Sequence, residues 1–150
     1  MLSLSTKFGE IFQKYPNLQK HLLFVGATDT FKDVAGFSNL PGLSCANDFI
    51  FAPGTRIKCL SLEAEKEVSG TSFSAPIVAS TLALLKKYFP ALDMVTLKEI
   101  LLSTASPFPR YTGKVSKEIT GRGQLDAFKA FLQANERSEP KKEKSNCLVM

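Results

Sequence analysis

The residues best equipped for chemistry are Gly70-Thr71-Ser72-Phe73-Ser74-Ala75-Pro76. A hydroxyl, Ser72, stands where a glycine turn passes into an apolar helix. Gly70 permits the sharp turn at little steric cost. The first N–H groups of a helix have no intrahelical partner, and the positive end of the helix dipole lies beside them. Such donors hold a developing oxyanion next to a serine nucleophile. Pro76 is expected close to the first turn, where a missing N–H costs least. Ile77 to Leu85 is apolar nearly all round, which predicts a helix buried on every side. As a bare pattern, the same residues also describe a serine N-cap ahead of a core helix.

A second reactive group stands at the other end of the sequence. Cys147-Leu148-Val149-Met150 has the form Cys-aliphatic-aliphatic-X, a prenylation box in which Met usually selects farnesyl. Lys141, Lys142 and Lys144 precede it, but Glu136, Glu139 and Glu143 dilute their charge. A single lipid with so weak a basic signal gives reversible attachment. The expectation is a cytoplasmic chain, modified at Cys147 by a prenyltransferase and held peripherally on cytosol-facing membranes of a eukaryotic cell. An accidental hydrophobic end is the alternative.

These groups must be carried by elements, and the pattern supplies them. Leu4, Phe8, Ile11 and Tyr15 fall at helical spacing over 3–15, and Pro16-Asn17 ends the run. Leu22-Leu23-Phe24-Val25 before Gly26 reads as a short buried strand. The helix from Ser72 stops before Pro90; Ala75, Ala79 and Ala83 give it a thin face for close packing. Thr96-x-x-Glu99 reads as a capping box opening a helix to about Thr104. A last helix is expected over 123–134. Glu63 to Glu67 reads as a solvated loop. Residues 135–146 offer no apolar anchor and read as a flexible charged tail. The organisation is therefore one domain over 1–134, the tail at 135–146 and the box at 147–150.

Composition narrows the class. At 150 residues, 44% hydrophobic and 22% charged, the chain can build one real core. The net charge of +5 comes from scattered side chains without a basic stripe, so nucleic acid is not an expected partner. No apolar run reaches spanning length, and the first residues lack the pattern of a signal peptide. Cys45, Cys59 and Cys147 have no metal-ligand spacing. Gly121-x-Gly123 lacks the third glycine of a dinucleotide loop. Neither a metal nor a cofactor is expected.

Gly70-Thr71-Ser72, Ser74 and Pro76, continued by Val78 and Ala79, resemble the nucleophile motif of the subtilisin-like serine peptidases, the subtilases. Three further segments follow that family in order: Val25-Gly26-Ala27-Thr28-Asp29, Gly36-Phe37-Ser38-Asn39, and Ala52-Pro53-Gly54 after its strand. Gly121-x-Gly123-Gln-Leu-Asp126-Ala127 resembles the end of the family's domain. The resemblance covers about 22–134. It implies an α/β fold: an incomplete subtilisin-like three-layer arrangement, a mainly parallel sheet flanked by helices. It also implies hydrolysis of peptide bonds in peptide or protein substrates, with Ser72 as nucleophile.

The family's triad runs Asp, His, Ser along the chain, and only the serine is here. There is no Asp-x-Gly strand motif, no His-Gly-Thr-His helix motif and no Ala-Ala-Gly-Asn segment for a side-chain oxyanion donor. The chain looks like the C-terminal half of the catalytic domain. His21, the one histidine, aligns where the family has no catalytic residue and reads as a strand-edge side chain. A Ser-Lys pair is another route. Lys86 is about 14 residues and roughly 21 Å along the same helix, out of reach; spacing leaves Lys58 and Lys66 open. Two functions therefore stand: a serine endopeptidase segment whose Asp and His come from a chain carrying the missing half-domain, or an inactive, membrane-tethered interaction module on the same fold.

Overall fold

The computed structural model describes residues 5–60, 65–111 and 115–138. Leu4, Glu63, Cys147 and the tail from 139 onward lie outside the described residues.

The centre of the molecule is a parallel pair, β1 (Phe24–Thr28) and β2 (Phe49–Pro53), in register from Phe24 opposite Phe49 to Thr28 opposite Pro53. Strand side chains alternate between faces, and both faces of β2 are buried. Ile50 and Ala52 point into one core with Val78, Leu85, Leu97, Leu101 and Ala130. Phe49 and Phe51 point into the other, with Phe12, Cys45 and Phe108. Their rings stack through Phe49, Phe51 and Phe108 at centroid distances of 4.9 and 5.2 Å. Gly26 lies opposite Phe51, and a Cβ there would fall 2.5 Å from that ring. The glycine is therefore what lets the aromatic layer close on β1.

Helices cover both faces. α1 (Ser5–Lys14), α2 (Pro16–Gln19) and α3 (Gly42–Cys45) lie on the aromatic side. A hairpin, β3 (Ile57–Leu60) and β4 (Glu65–Val68), leads into α4 (Thr71–Tyr88), which packs on β1 and β2 beside α5 (Met94–Thr104). A short α6 (Lys117–Thr120) precedes α7 (Ala127–Ser138), which packs on α5. Helix, parallel sheet and helix form the three layers that the sequence implies.

Four local expectations are corrected. In α1 the buried side chain is Phe12, at 7% exposure, whereas Ile11 and Tyr15 are turned outward. In α5 the cap is Asp93, whose carboxylate accepts the Thr96 N–H at 2.7 Å, so Thr96 is inside the helix. Residues 65–68, expected in a loop, are a strand; Arg56–Glu67 and Lys58–Glu65 ion pairs of 2.9 and 3.0 Å lie across its hairpin. The last helix starts at Ala127, not at Gly123.

The last difference has a backbone cause. Gly121 and Gly123 adopt φ of 55° and 116°, where L side chains are strained. A Cβ on Gly121 would come 2.6 Å from the Phe49 carbonyl oxygen. The glycines thus bring the 122–125 segment against β2: Phe51 donates to Gly123 O at 2.8 Å, and Leu125 donates to Phe51 O at 2.7 Å. Gln124 bridges to Phe51 in parallel and to Ser106 in antiparallel fashion, so the sheet is extended beyond β2. On the other side of β1, the 33–38 loop covers the edge. Ala35 donates to Ala27 O at 2.9 Å, and the buried Ser38 Oγ accepts the Ala27 N–H at 3.0 Å.

A buried ion pair locks α5 to the beginning of the fold. Lys98 Nζ donates to Asp48 Oδ1 at 2.6 Å and to Gln19 O at 2.9 Å, while Gln19 Nε2 donates to Asp48 Oδ2 at 2.6 Å. Both charges are nearly buried and fully hydrogen-bonded in this network, which is the condition for such a pair to be tolerated.

Candidate active site

The site is built at the ends of β2 and the hairpin. After Pro53 the chain turns through Gly54, whose N–H donates to Thr28 O at 3.0 Å and whose carbonyl accepts from Gly70 at 2.8 Å. These bonds place the end of β1, the turn after β2 and the start of α4 against one another. A Cβ on Gly54 would collide with Ser74 Oγ and fall 2.5 Å from Ala27 Cβ. Only glycine fits between the strand and the helix start.

Gly70 is the N-cap of α4, with φ 157° and ψ 152°, and offers no side-chain acceptor. Phe73 N–H bonds to Gly70 O at 3.1 Å. The N–H groups of Thr71 and Ser72, the two residues before it, have no intrahelical acceptor and no cap oxygen. Ser72 is therefore the second residue inside the helix and not a cap. Its side chain is exposed. Its own N–H points with that of Thr71 toward the helix mouth, where the dipole favours negative charge. This is the donor arrangement an acyl-transfer oxyanion needs.

Ser74, two residues on, does a different job. It is fully buried, and its hydroxyl donates to Pro53 O at 3.1 Å, pinning α4 to β2. Pro76 lies past the first turn, contrary to the expected placing. Its absent N–H would have bonded to the Ser72 carbonyl, so that carbonyl lacks its usual helical donor.

The expectation that α4 is buried on every side is also corrected. Only Ser74, Val78 and Leu85 are buried. Ser72, Pro76, Ala79, Ala83, Leu84 and Tyr88 are exposed, at 56% for Leu84 and 64% for Tyr88. The apolar character is all round, but burial among the described residues is confined to one side.

Among the described residues, no basic side chain hydrogen-bonds to the Ser72 hydroxyl. His21 is exposed at the N-terminal end of β1, in a depression shared with Leu82, Met94 and Lys98. Leu82 is about 15 Å along α4 from Ser72. Lys86 Nζ is occupied by the carbonyls of Pro90 and Leu92, both at 2.8 Å. Lys58 is paired with Glu65 on the hairpin, and Lys66 is exposed on β4. No group of His, Cys, Asp and Glu among the described residues has the makings of a metal site, and no described helix is long and apolar enough to cross a membrane.

One feature of the region escaped sequence reasoning. A cavity of about 480 Å³ opens beyond the C-terminal ends of β1 and β2, lined by Thr28, Asp29, Pro53, Thr55, Ser106 and Asp126 among others. Ser72 does not line it. The signal available was position alone: polar residues directly after two parallel strands are where open α/β sheets bind ligands.

An α/β layer protein with a serine exposed at the start of its central helix defines a class of candidate hydrolases. The chain belongs to the subtilase family, whose model matches residues 13–140. Among solved structures it is similar to the patellamide maturation protease PatA, with 27% identity and a TM-score of 0.65 over 75% of this chain and 42% of that one. The prenylagaramide maturation protease PagA gives 30% identity and a TM-score of 0.64 over 75% and 42%. The PatG macrocyclase in complex with peptide gives 25% and 0.64 over 75% and 36%. Serotype-specific antigen 1 of Mannheimia haemolytica is 33% identical over 100 residues, 61% of this chain and 11% of that protein. The chain thus spans about two fifths of the PatA and PagA structures and about a tenth of the antigen.

Proposed function

We propose that this chain is the nucleophile-bearing segment of a subtilase-type serine endopeptidase, acting on peptide or protein substrates. Ser72 Oγ attacks the scissile carbonyl, and the Ser72 backbone N–H donates to the oxyanion. The Asp and His come from a polypeptide carrying the other half of the domain. The observation that carries this reading is the pairing of an exposed Ser72 with unfilled N–H donors inside the Gly70-Thr71-Ser72 motif. The peptide complex of PatG, a relative by structure, agrees with a peptide substrate.

The magnitude expected for the chain alone is small. Loss of the serine or histidine of subtilisin lowers turnover on the order of a millionfold, and binding plus the oxyanion hole leave about a thousandfold over water. A fluorophosphonate probe tests the reading in lysate of the native host. Labelling that vanishes in Ser72→Ala is expected. Absence of labelling there overturns the peptidase reading and favours the inactive interaction module.

The form of the last four residues supports a tether at Cys147: a prenyltransferase adds a farnesyl group, and the chain rests reversibly on cytosol-facing membranes. An N-terminal fluorescent fusion in a eukaryotic cell checks it. The natural tail is expected at membranes and Cys147→Ser in the soluble fraction; identical diffuse distributions, with no lipid mass on the Cys147 peptide, overturn it.

A further inference from the structure

We infer that the cavity beyond the C-terminal ends of β1 and β2 is a binding site for a short zwitterionic peptide with aliphatic side chains. Ser72 does not line it, and the inference stands whether or not that serine is a nucleophile.

Buried hydroxyls normally have a hydrogen-bond partner. Two that line this cavity have none among the described residues. Thr28, at the end of β1 and only 3% exposed, accepts the Gly54 N–H at its backbone carbonyl but bonds nothing through its side chain. Thr55 Oγ1 is buried and unpartnered as well. By contrast, the hydroxyls of the buried Ser38 and Ser74 are both bonded. A threonine hydroxyl both donates and accepts, which matches the N–H and C=O of a peptide bond.

The lining adds one free charge of each sign. Asp29 Oδ1 accepts the N–H groups of Phe31 and Asp33 at 2.8 and 2.9 Å; among the described residues its Oδ2 has no partner. Lys32 is exposed, and its ammonium has none either, so the two are not paired with each other. Asp126, the other acid of the cavity, is committed to Lys129 and Ser106. The free charges therefore sum to zero, with one acceptor for an ammonium and one donor for a carboxylate. Those are the two ends of an unblocked peptide, and hydrogen bonds between charged groups are the strong ones. A sugar would engage the hydroxyls and leave both charges unmatched.

Much of the remaining lining is apolar: Phe51, Leu125 and the exposed Pro53, Pro107 and Pro109. It offers aliphatic side chains a dry surface, and a volume of about 480 Å³ is large enough for a dipeptide. The charged loop is also held in place. Asp29 N–H bonds to Asp33 O at 2.8 Å, Lys32 closes the loop at φ 62°, and Gln124 Nε2 donates to Lys32 O at 3.1 Å. A site built in advance loses less on binding.

The test titrates the isotope-labelled full-length chain with the dipeptide Ala-Leu and follows backbone amide shifts by NMR. Saturable shifts are expected at Thr28, Asp29, Lys32, Thr55 and Ser106, with a dissociation constant of about 1 mM. N-acetylation of the dipeptide is expected to weaken binding about tenfold. Asp29→Asn, which keeps the Oδ1 acceptor, is expected to weaken the free dipeptide equally and to leave the N-acetylated one unchanged. Lys32→Gln and the C-terminal amide form the matching pair, which decides alone if Asp29→Asn disturbs amides remote from the loop. Ser72→Ala is expected to bind as the natural chain does. Equal binding of free and capped dipeptides, comparable binding of maltose, shifts centred on Ser72, or no shifts at about 20 mM dipeptide overturn the inference.

Discussion

Ser72 and Ser74 are near neighbours with opposite duties. Ser74 is fully buried and its hydroxyl is spent on Pro53 O; Ser72 is exposed and next to unfilled backbone donors. The difference comes from helical phase, since residues two apart point to different sides. Gly54 makes the arrangement possible by letting β2, Ala27 and Ser74 meet without a side chain between them. Gly54→Ala is expected to cost about 1–3 kcal/mol, the usual penalty for overpacking a filled site, read as a lower urea midpoint with an unchanged slope. A midpoint equal to that of the natural chain would show that the turn at 53–54 yields easily. The motif residues were legible in the sequence because their spacing fixes their duties. The burial of Ser74 and the exposure of Ser72 were not, because both depend on what the helix packs against.

At the scale of elements, each misplaced boundary traces to a competing local interaction. The Thr96-Glu99 pattern suggested a capping box, but Asp93 provides a better-placed acceptor for the Thr96 N–H. Burial was assigned to the wrong phase of α1, where Phe12 alone of the described apolar side chains is the inward one. The last helix is expected from Gly123, yet the 121–125 segment serves the sheet edge and the helix starts only after Asp126. That carboxylate caps α7. It accepts the Lys129 N–H at 3.0 Å and is bonded by Lys129 Nζ and Ser106 Oγ, both at 2.9 Å. The Lys129 backbone bond, then its ammonium, lower the Asp126 pKa from 3.8 to about 2. Because the folded value is depressed, the stabilisation is fully present above about pH 4 and lost as pH falls through about 2. Asp126→Ala is expected to cost about 1 kcal/mol at pH 6, as lost N-caps do. The cost is modest because the group is partly solvated. Urea melts at pH 6 and pH 2 check it: the variant and natural chain differ at the first, and the difference is much reduced at the second. A difference that persists unchanged at pH 2 would assign the effect to packing instead of charge.

For the whole molecule, the three layers followed from the order of the motifs. What sequence could not show is which surfaces the folded chain leaves uncovered. An all-round apolar helix normally means complete burial; here one side is covered and the other runs uncharged from Ser72 to Leu84. The same chain that carries an exposed serine beside unfilled N–H donors shows, among its described residues, no basic side chain hydrogen-bonded to that serine. That combination motivates the proposal made above: Ser72 is a nucleophile whose Asp and His come from another polypeptide. The most direct measurement is the rate at which a fluorophosphonate labels Ser72, mapped by mass spectrometry, in the purified chain and in native-host lysate. The account predicts no more than the background rate of a surface serine in the purified chain, and an increase of at least about a thousandfold in the lysate, all of it on Ser72. Fast labelling of the purified chain, labelling on another serine, or no increase in the lysate would contradict it.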